Sequence, residues 1–131
     1  MRVKELYSQE DMNWGLGDYM PMLEDFGDMV IKVDDDDYQG DSFVLYEDNG
    51  RYGYLSFGWG SCPGCDALQG CETWEEVQEL YEHLQNSIKW FANGKQALKW
   101  FKEHDWEGDW HSDTRDTFVD LTIKILTEFE S

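Results

Sequence analysis

The hydrophobic and polar positions change their period after residue 71. Before that point apolar residues come in three short β-rich runs, residues 29–33, 42–47 and 52–58, each of the length of one strand. Between the second and third lies Glu47-Asp48-Asn49-Gly50, and Asn-Gly readily adopts the positive φ angles that a two-residue hairpin turn demands. An antiparallel sheet of about three strands is therefore expected in the first half. In Tyr52-Gly53-Tyr54-Leu55-Ser56-Phe57-Gly58 the large side chains do not alternate cleanly, so the buried face of that strand stays open. Upstream, residues 8–27 mix Trp14, Leu16, Tyr19, Met20, Met22, Leu23 and Phe26 with acids and are broken by Gly15, Gly17 and Pro21. This pattern reads as an irregular segment followed by a short helix at residues 22–26.

Beyond residue 71 the spacing becomes helical. Thr73-Trp74-Glu75-Glu76 has the Thr-x-x-Glu form of a capping box, in which hydroxyl and carboxylate satisfy amides that the first turn leaves unpaired. Val77, Leu80, Tyr81, Leu84, Ile88 and Phe91 then recur on one stripe, and Asn93-Gly94 is expected to stop the helix. A shorter helix over residues 95–103 turns Ala97, Leu98 and Phe101 inward and Lys95, Lys99 and Lys102 outward. Ser112 or Asp113 is placed to cap a final helix with the stripe Phe118, Leu121, Thr122, Ile125, Leu126 and Phe129, although Leu121-Thr122-Ile123-Lys124-Ile125 also alternates as a strand does. The expected whole is one α+β domain over residues 1–131, a small antiparallel sheet packed against two or three helices from the second half. No internal repeat or linker interrupts it.

Composition alters this picture in one respect. The 131 residues carry seven Trp, seven Tyr and seven Phe, enough aromatic surface for a core despite a net charge of −19 that by itself suggests disorder. Residues 1–87 hold 20 acidic and 4 basic side chains; Lys89, Lys95, Lys99 and Lys102 follow without an acid between them; residues 103–131 hold 9 acidic and 2 basic ones. Such a field repels nucleic acid and anionic membranes and attracts basic surfaces, or serves only solubility. No run approaches the roughly 20 apolar residues of a membrane span, and no signal-peptide pattern opens the chain. A cytoplasmic protein is expected, in a host cell's cytoplasm if the chain is phage-encoded.

The three cysteines, Cys62, Cys65 and Cys71, share the stretch FGWGSCPGCDALQGC at residues 57–71. Three readings stand side by side. The stretch is a tight glycine-rich loop with its cysteines buried as small apolar groups beneath Trp59. Alternatively, Cys62, Cys65 and Cys71 bind zinc, with Asp66, His83, His104 or His111 as fourth ligand. The third reading, a redox dithiol, wants a helix starting at the first thiol, whereas the next helical pattern begins at residue 73. Asp35-x-Asp37-x-Gln39-Gly40-Asp41 opens like a calcium-binding EF-hand loop, but Tyr46 stands where the bidentate Glu belongs and both flanks read as strands. Carboxylates and His111 in Asp105-Trp106-Glu107-Gly108-Asp109-Trp110-His111 offer hydrolase chemistry, or a solvated loop.

The runs YGYLSFGWGSCPGCDALQGC, SIKWF and HDWEGDW resemble an uncharacterised family of small acidic proteins of phages, mobile elements and bacterial genomes, across residues 52–111. The resemblance carries over no catalytic residue. By analogy alone it implies an anti-defence inhibitor of the anti-CRISPR or anti-restriction kind, a nucleic-acid mimic. A mimic must set carboxylates where phosphates would lie. Glu75, Glu79 and Glu82 share one helix face, with i and i+4 neighbours about 6 Å apart along the axis. Asp34, Asp35, Asp36, Asp37 and Asp41 form a second ridge, and Trp106 and Trp110 are aromatic anchors among acids. The expected function is non-enzymatic binding to the basic surface of a nucleic-acid-handling protein, with no direct contact to nucleic acid or membrane and no cofactor. A zinc-binding interaction module and a small hydrolase at residues 105–111 are the alternatives.

Overall fold

A computed structural model describes residues 1–106 and 112–130. In chain order the elements are helices α1 (Val3–Leu6), α2 (Gln9–Trp14) and α3 (Met20–Phe26), strands β1 (Asp28–Asp34), β2 (Gly40–Asp48) and β3 (Arg51–Trp59), helix α4 (Trp74–Ser87), strand β4 (Lys89–Phe91), and helices α5 (Gly94–Glu103) and α6 (Asp113–Glu130). The strands form one antiparallel sheet in the order β1-β2-β3-β4. The protein is α+β, as its pattern predicts, with a fourth strand.

Consecutive buried residues in β2 explain the layering. Phe43, Val44, Leu45 and Tyr46 are all buried, and because successive strand side chains point to opposite faces, both faces must be covered. Val44, Tyr46 and Leu55 pack in one core with residues of α1, α3 and α4, while Phe43, Leu45, Tyr52 and Phe91 pack in another with α5 and α6. The sheet thus lies between two helical layers. The open question about β3 resolves the same way. Tyr52 and Tyr54 face the second core and Leu55, Phe57 and Trp59 the first.

The hairpin forms where expected, with Asn49 at φ 52° and Gly50 at φ 88°, and Thr73 accepts from the Glu76 amide at 3.2 Å to start α4. Helix α4 ends earlier than its spacing predicts. Ile88 is extended and residues 89–91 pair with Tyr52, Gly53 and Tyr54 as β4. Ile88 and Phe91 are buried at a spacing that fits a helix, yet here they straddle an edge strand. Gly53 makes this possible, since a Cβ there would lie 2.8 Å from Ile88 Cγ2 and 2.9 Å from the Trp90 ring. Asn93 accordingly does not stop a helix; it caps α5 by accepting from the Gln96 amide at 2.9 Å.

Two other expectations change, and one choice between alternatives is decided. The segment before the sheet is more regular than its glycines suggest: Ser8 and Asp11 form a reciprocal capping box on α2, and Pro21 sits in the first turn of α3, where its missing N–H costs nothing. Ser112, not Asp113, caps α6, its hydroxyl accepting from the Arg115 amide at 3.1 Å. Along α6 Phe118, Val119, Thr122 and Leu126 are buried, whereas Leu121 and Phe129 are exposed, so the buried stripe is narrower than the sequence stripe.

Polar pins hold the first helical layer. The Arg2 guanidinium pairs with Asp25 on α3, and the Tyr81 hydroxyl of α4 donates to the same carboxylate at 2.5 Å. The Arg2 hydrogen bonds, with help from Tyr81, hold the Asp25 carboxyl below the usual aspartate range. A depressed carboxyl contributes stability above its unfolded pKa of about 4 and loses it as pH falls through the folded value. The melting-temperature gap between wild type and Asp25→Asn should therefore be constant from about pH 7 to 5 and close below about pH 4, measured by circular dichroism. A second pin is the fully buried Tyr46, which donates to the Leu23 carbonyl at 2.8 Å. Tyr46→Phe orphans that carbonyl and should cost about 1–3 kcal/mol in urea unfolding at an unchanged m-value.

Candidate functional site

The period of two gathers a polar group at one end of the sheet. Asp34 pairs with Ser42, Ser42 with Phe57, and Gly40 with Trp59. Lys32, Asp34, Ser42, Phe57 and Trp59 therefore share the face that carries the first core, beyond the reach of Val44 and Tyr46. Here α3 and the chain around Asp66 leave a cavity of about 310 Å³, lined also by Asp18, Tyr19, Asp35 and Asp66. That volume lies at the lower end of small-ligand sites, about 300–1,000 Å³.

A hydrogen-bond chain fixes one wall. Trp59 Nε1 donates to Ser42 Oγ at 2.8 Å, the Ser42 hydroxyl donates to Asp34 Oδ1, and Lys32 Nζ holds Asp34 Oδ2 at 2.6 Å. Ser42 is buried and Asp34 exposed, so the chain runs from inside the cavity to its rim. Across from it, Asp35 Oδ2 accepts from the Asp41 amide at 2.8 Å, and Asp18 Oδ1 accepts from the Met20 amide at 2.9 Å.

Asp66 is the unusual member. It is only 4% exposed, yet its described hydrogen bond is a single one, from the Tyr19 hydroxyl to Oδ1. Among the described residues no cation lies within ion-pair distance of it, and its second oxygen has no hydrogen-bond partner. The Tyr19 oxygen in turn accepts from the Leu68 amide at 3.2 Å. Burial and the bond to Asp66 push the Tyr19 phenol far above its usual range, so it stays a donor. These contacts join residues 47 to 49 positions apart, and they pin the cysteine loop to α3.

The loop is tight, as its glycines suggest. The Cys62 carbonyl accepts from the Cys65 and Asp66 amides at 3.0 Å each, and Gly60 passes so close to Cys65 that a Cβ would lie 2.5 Å from its carbonyl oxygen. Leu68 anchors it in the first core. The cysteines, however, are not buried beneath Trp59: Cys62 and Cys65 are exposed and joined by a disulfide, and Cys71 is half-buried with a free thiol. Burial, then Glu76, Asp66 and Glu79, push the Cys71 thiol up, which makes it a poor thiolate ligand at neutral pH. Among the described residues no group of three or more His, Cys, Asp or Glu side chains is placed to hold a metal ion. His83 is exposed on α4, and His104 stacks on Trp100 at 4.5 Å.

The acidic candidates separate into two sets. Asp34, Asp35, Asp36, Asp37 and Asp41 ring the β1–β2 connection, and Tyr38, 82% exposed, stands at its tip. Burial and Asp35 push the Asp41 carboxyl up. Glu75, Glu79 and Glu82 are exposed on α4. Trp106 is half-buried against the second core, its Nε1 donating to the Phe101 carbonyl at 3.0 Å, so its ring largely completes the core. Trp110, like the rest of residues 107–111, lies outside the described residues. Sequence reasoning considered Asp66 only as a zinc ligand and passed over Asp18, Lys32, Ser42, Tyr19 and Tyr38. Strand register could have grouped Lys32, Asp34 and Ser42; nothing local marks the Tyr19–Asp66 pair.

Comparison with protein-family models, curated proteins and solved structures finds no match. Function is read from this geometry alone. No described helix is long and apolar enough to cross a membrane. One prediction concerns the pin itself: Tyr19→Phe removes the donor to Asp66 and the acceptor of the Leu68 amide. It should destabilise the fold by about 1–3 kcal/mol and raise hydrogen exchange at Leu68 more than at residues of β2.

Proposed function

We propose that this protein is a non-enzymatic acidic binding protein that occupies a basic, nucleic-acid-binding surface of another protein, in the manner of a phage-type anti-defence inhibitor. The observation that carries the reading is the state of its carboxylates. Asp25, Asp34 and Asp48 are engaged by Arg2, Lys32 and Arg51. By contrast, Asp35, Asp36, Asp37, Glu75, Glu79 and Glu82 make no ion pair with a described residue. No described cation offsets these charges, and crowding them on one chain costs self-repulsion. A partner rich in Lys and Arg removes that cost and releases its own bound counterions, as nucleic acid would. Tyr38 at the tip of the acidic connection adds an amphipathic ring of the kind that anchors protein interfaces.

Tagged protein should retain from a bacterial lysate, at low salt, a nucleic-acid-binding protein that elutes in a salt gradient and whose nucleic acid the purified protein displaces. Combined neutralisation of Asp35, Asp36 and Asp37, or of Glu75, Glu79 and Glu82, should slow association about tenfold at low salt and change dissociation little. Retention of generic basic proteins alone, equally by wild type and the neutralised variants, would reduce the acidity to a solubility device.

A further inference from the structure

We propose that the cavity between α3, the β1–β2 end of the sheet and the cysteine loop is a receptor for one arginine side chain of the basic partner. The inference deepens the acidic-binder reading and rests on it. Four carboxylates, of Asp18, Asp34, Asp35 and Asp66, and one ammonium, of Lys32, line the cavity. The Lys32 charge is spent on Asp34 at 2.6 Å, so the space retains an excess of negative charge.

Asp66 turns this from an acidic surface into a built site. It is 4% exposed and held at one oxygen by the Tyr19 hydroxyl, while the other oxygen is not among the fully enclosed polar atoms of the described residues and so is reached from the cavity that Asp66 lines. Its second oxygen, without a hydrogen-bond partner among the described residues, calls for a cationic donor from outside the chain. Arginine fits better than lysine. The guanidinium offers five donors in a planar fork that can serve several carboxylate oxygens at once, and it tolerates desolvation and stacks on aromatic rings. Phe57 and Trp59 supply the aromatic wall, suited to a flat cation and its apolar stem. Trp59 donates to Ser42 and Ser42 to Asp34, whose other oxygen Lys32 holds, which leaves the second oxygens of Asp18, Asp35 and Asp66 as the open acceptors.

The test uses the full-length protein and three probes: a capped Gly-Arg-Gly peptide, its citrulline counterpart, and 1-butylguanidine. Binding is read from the Trp59 indole N–H resonance, assigned with Trp59→Phe. The arginine peptide should shift that resonance saturably and the neutral citrulline peptide should not. Asp66→Asn and Asp34→Asn should each weaken the arginine peptide at least about tenfold, or 1.4 kcal/mol; Asp34 is exposed, so its variant reports even if Asp66→Asn fails to fold. Neutralising Glu103 and Asp120, exposed on the helices of the opposite layer and outside the cavity, should leave the peptide within about twofold. Equal shifts from arginine and citrulline, or unchanged affinity in both Asn variants, would overturn the inference. Tenfold tighter binding of 1-butylguanidine than of the peptide would overturn it in favour of a free small cation. If the peptide fails to bind while the basic partner is still retained with steep salt dependence, the receptor falls and the acidic-binder reading stands. If the peptide binds and no partner is retained, the cavity stands and the wider reading falls.

Discussion

Burial of β2 on both faces constrains everything else in this chain. Four consecutive side chains, Phe43 to Tyr46, are removed from water, and a strand with two apolar faces is stable only inside a three-layer arrangement. The chain meets that demand from both ends, with α1, α3 and α4 on one face and α5 and α6 on the other. Packing of this kind is worth more than local propensity, which is why the four-residue α1, anchored by the fully buried Val3, persists although such a length is unstable in isolation.

The first helical layer does not cover its whole face. Beyond Val44 the same side of the sheet turns polar, at Lys32, Asp34 and Ser42, and the loop carrying Asp66 closes over it only in part. The cavity is the place where an apolar layer gives way to an acidic rim. Its floor is held by long-range contacts, Tyr19 to Asp66 and to the Leu68 amide, and its wall by the Trp59–Ser42–Asp34 chain. Rigid support of this kind lets a carboxylate remain buried without a cation beside it, a state that a mobile loop would relieve by exposing the group to water. The cysteine loop is thus a tight turn whose main contribution to the site is Asp66, which follows Cys65 of the Cys62–Cys65 disulfide and donates its amide to the Cys62 carbonyl.

Charge is divided between structure and surface. Asp25 is used as a pin by Arg2 and Tyr81, tying the start of the chain to α3 and α4. Most other exposed acids contribute nothing comparable, since isolated surface charges are worth little to folding. The lysines show the same division on the opposite layer: the Lys89 ammonium lies 5.5 Å from the Phe91 and Trp100 ring centroids, a cation–π contact, while Lys95, Lys99 and Lys102 face solvent along α5.

Where a feature depends on neighbours in the chain, it could be read in advance. The Asn49-Gly50 turn, the Thr73 cap, the first three strands and the helical stripes of α4, α5 and α6 all rest on spacing and on backbone preferences of single residues. The acidity of residues 34–37 and of α4 is equally plain. Where a feature depends on what approaches from far along the chain, the pattern was ambiguous or silent. Ile88 and Phe91 suit a helix face as well as a strand edge, and only the gap over Gly53 selects β4. Tyr19 and Asp66 are separated by 47 positions and become partners because two-sided burial of β2 brings α3 and the cysteine loop to one side of the sheet. Local backbone energetics thus decided which segments are helix, turn or strand; long-range burial, which no short window contains, decided where the last strand lies and where a buried carboxylate meets a cavity.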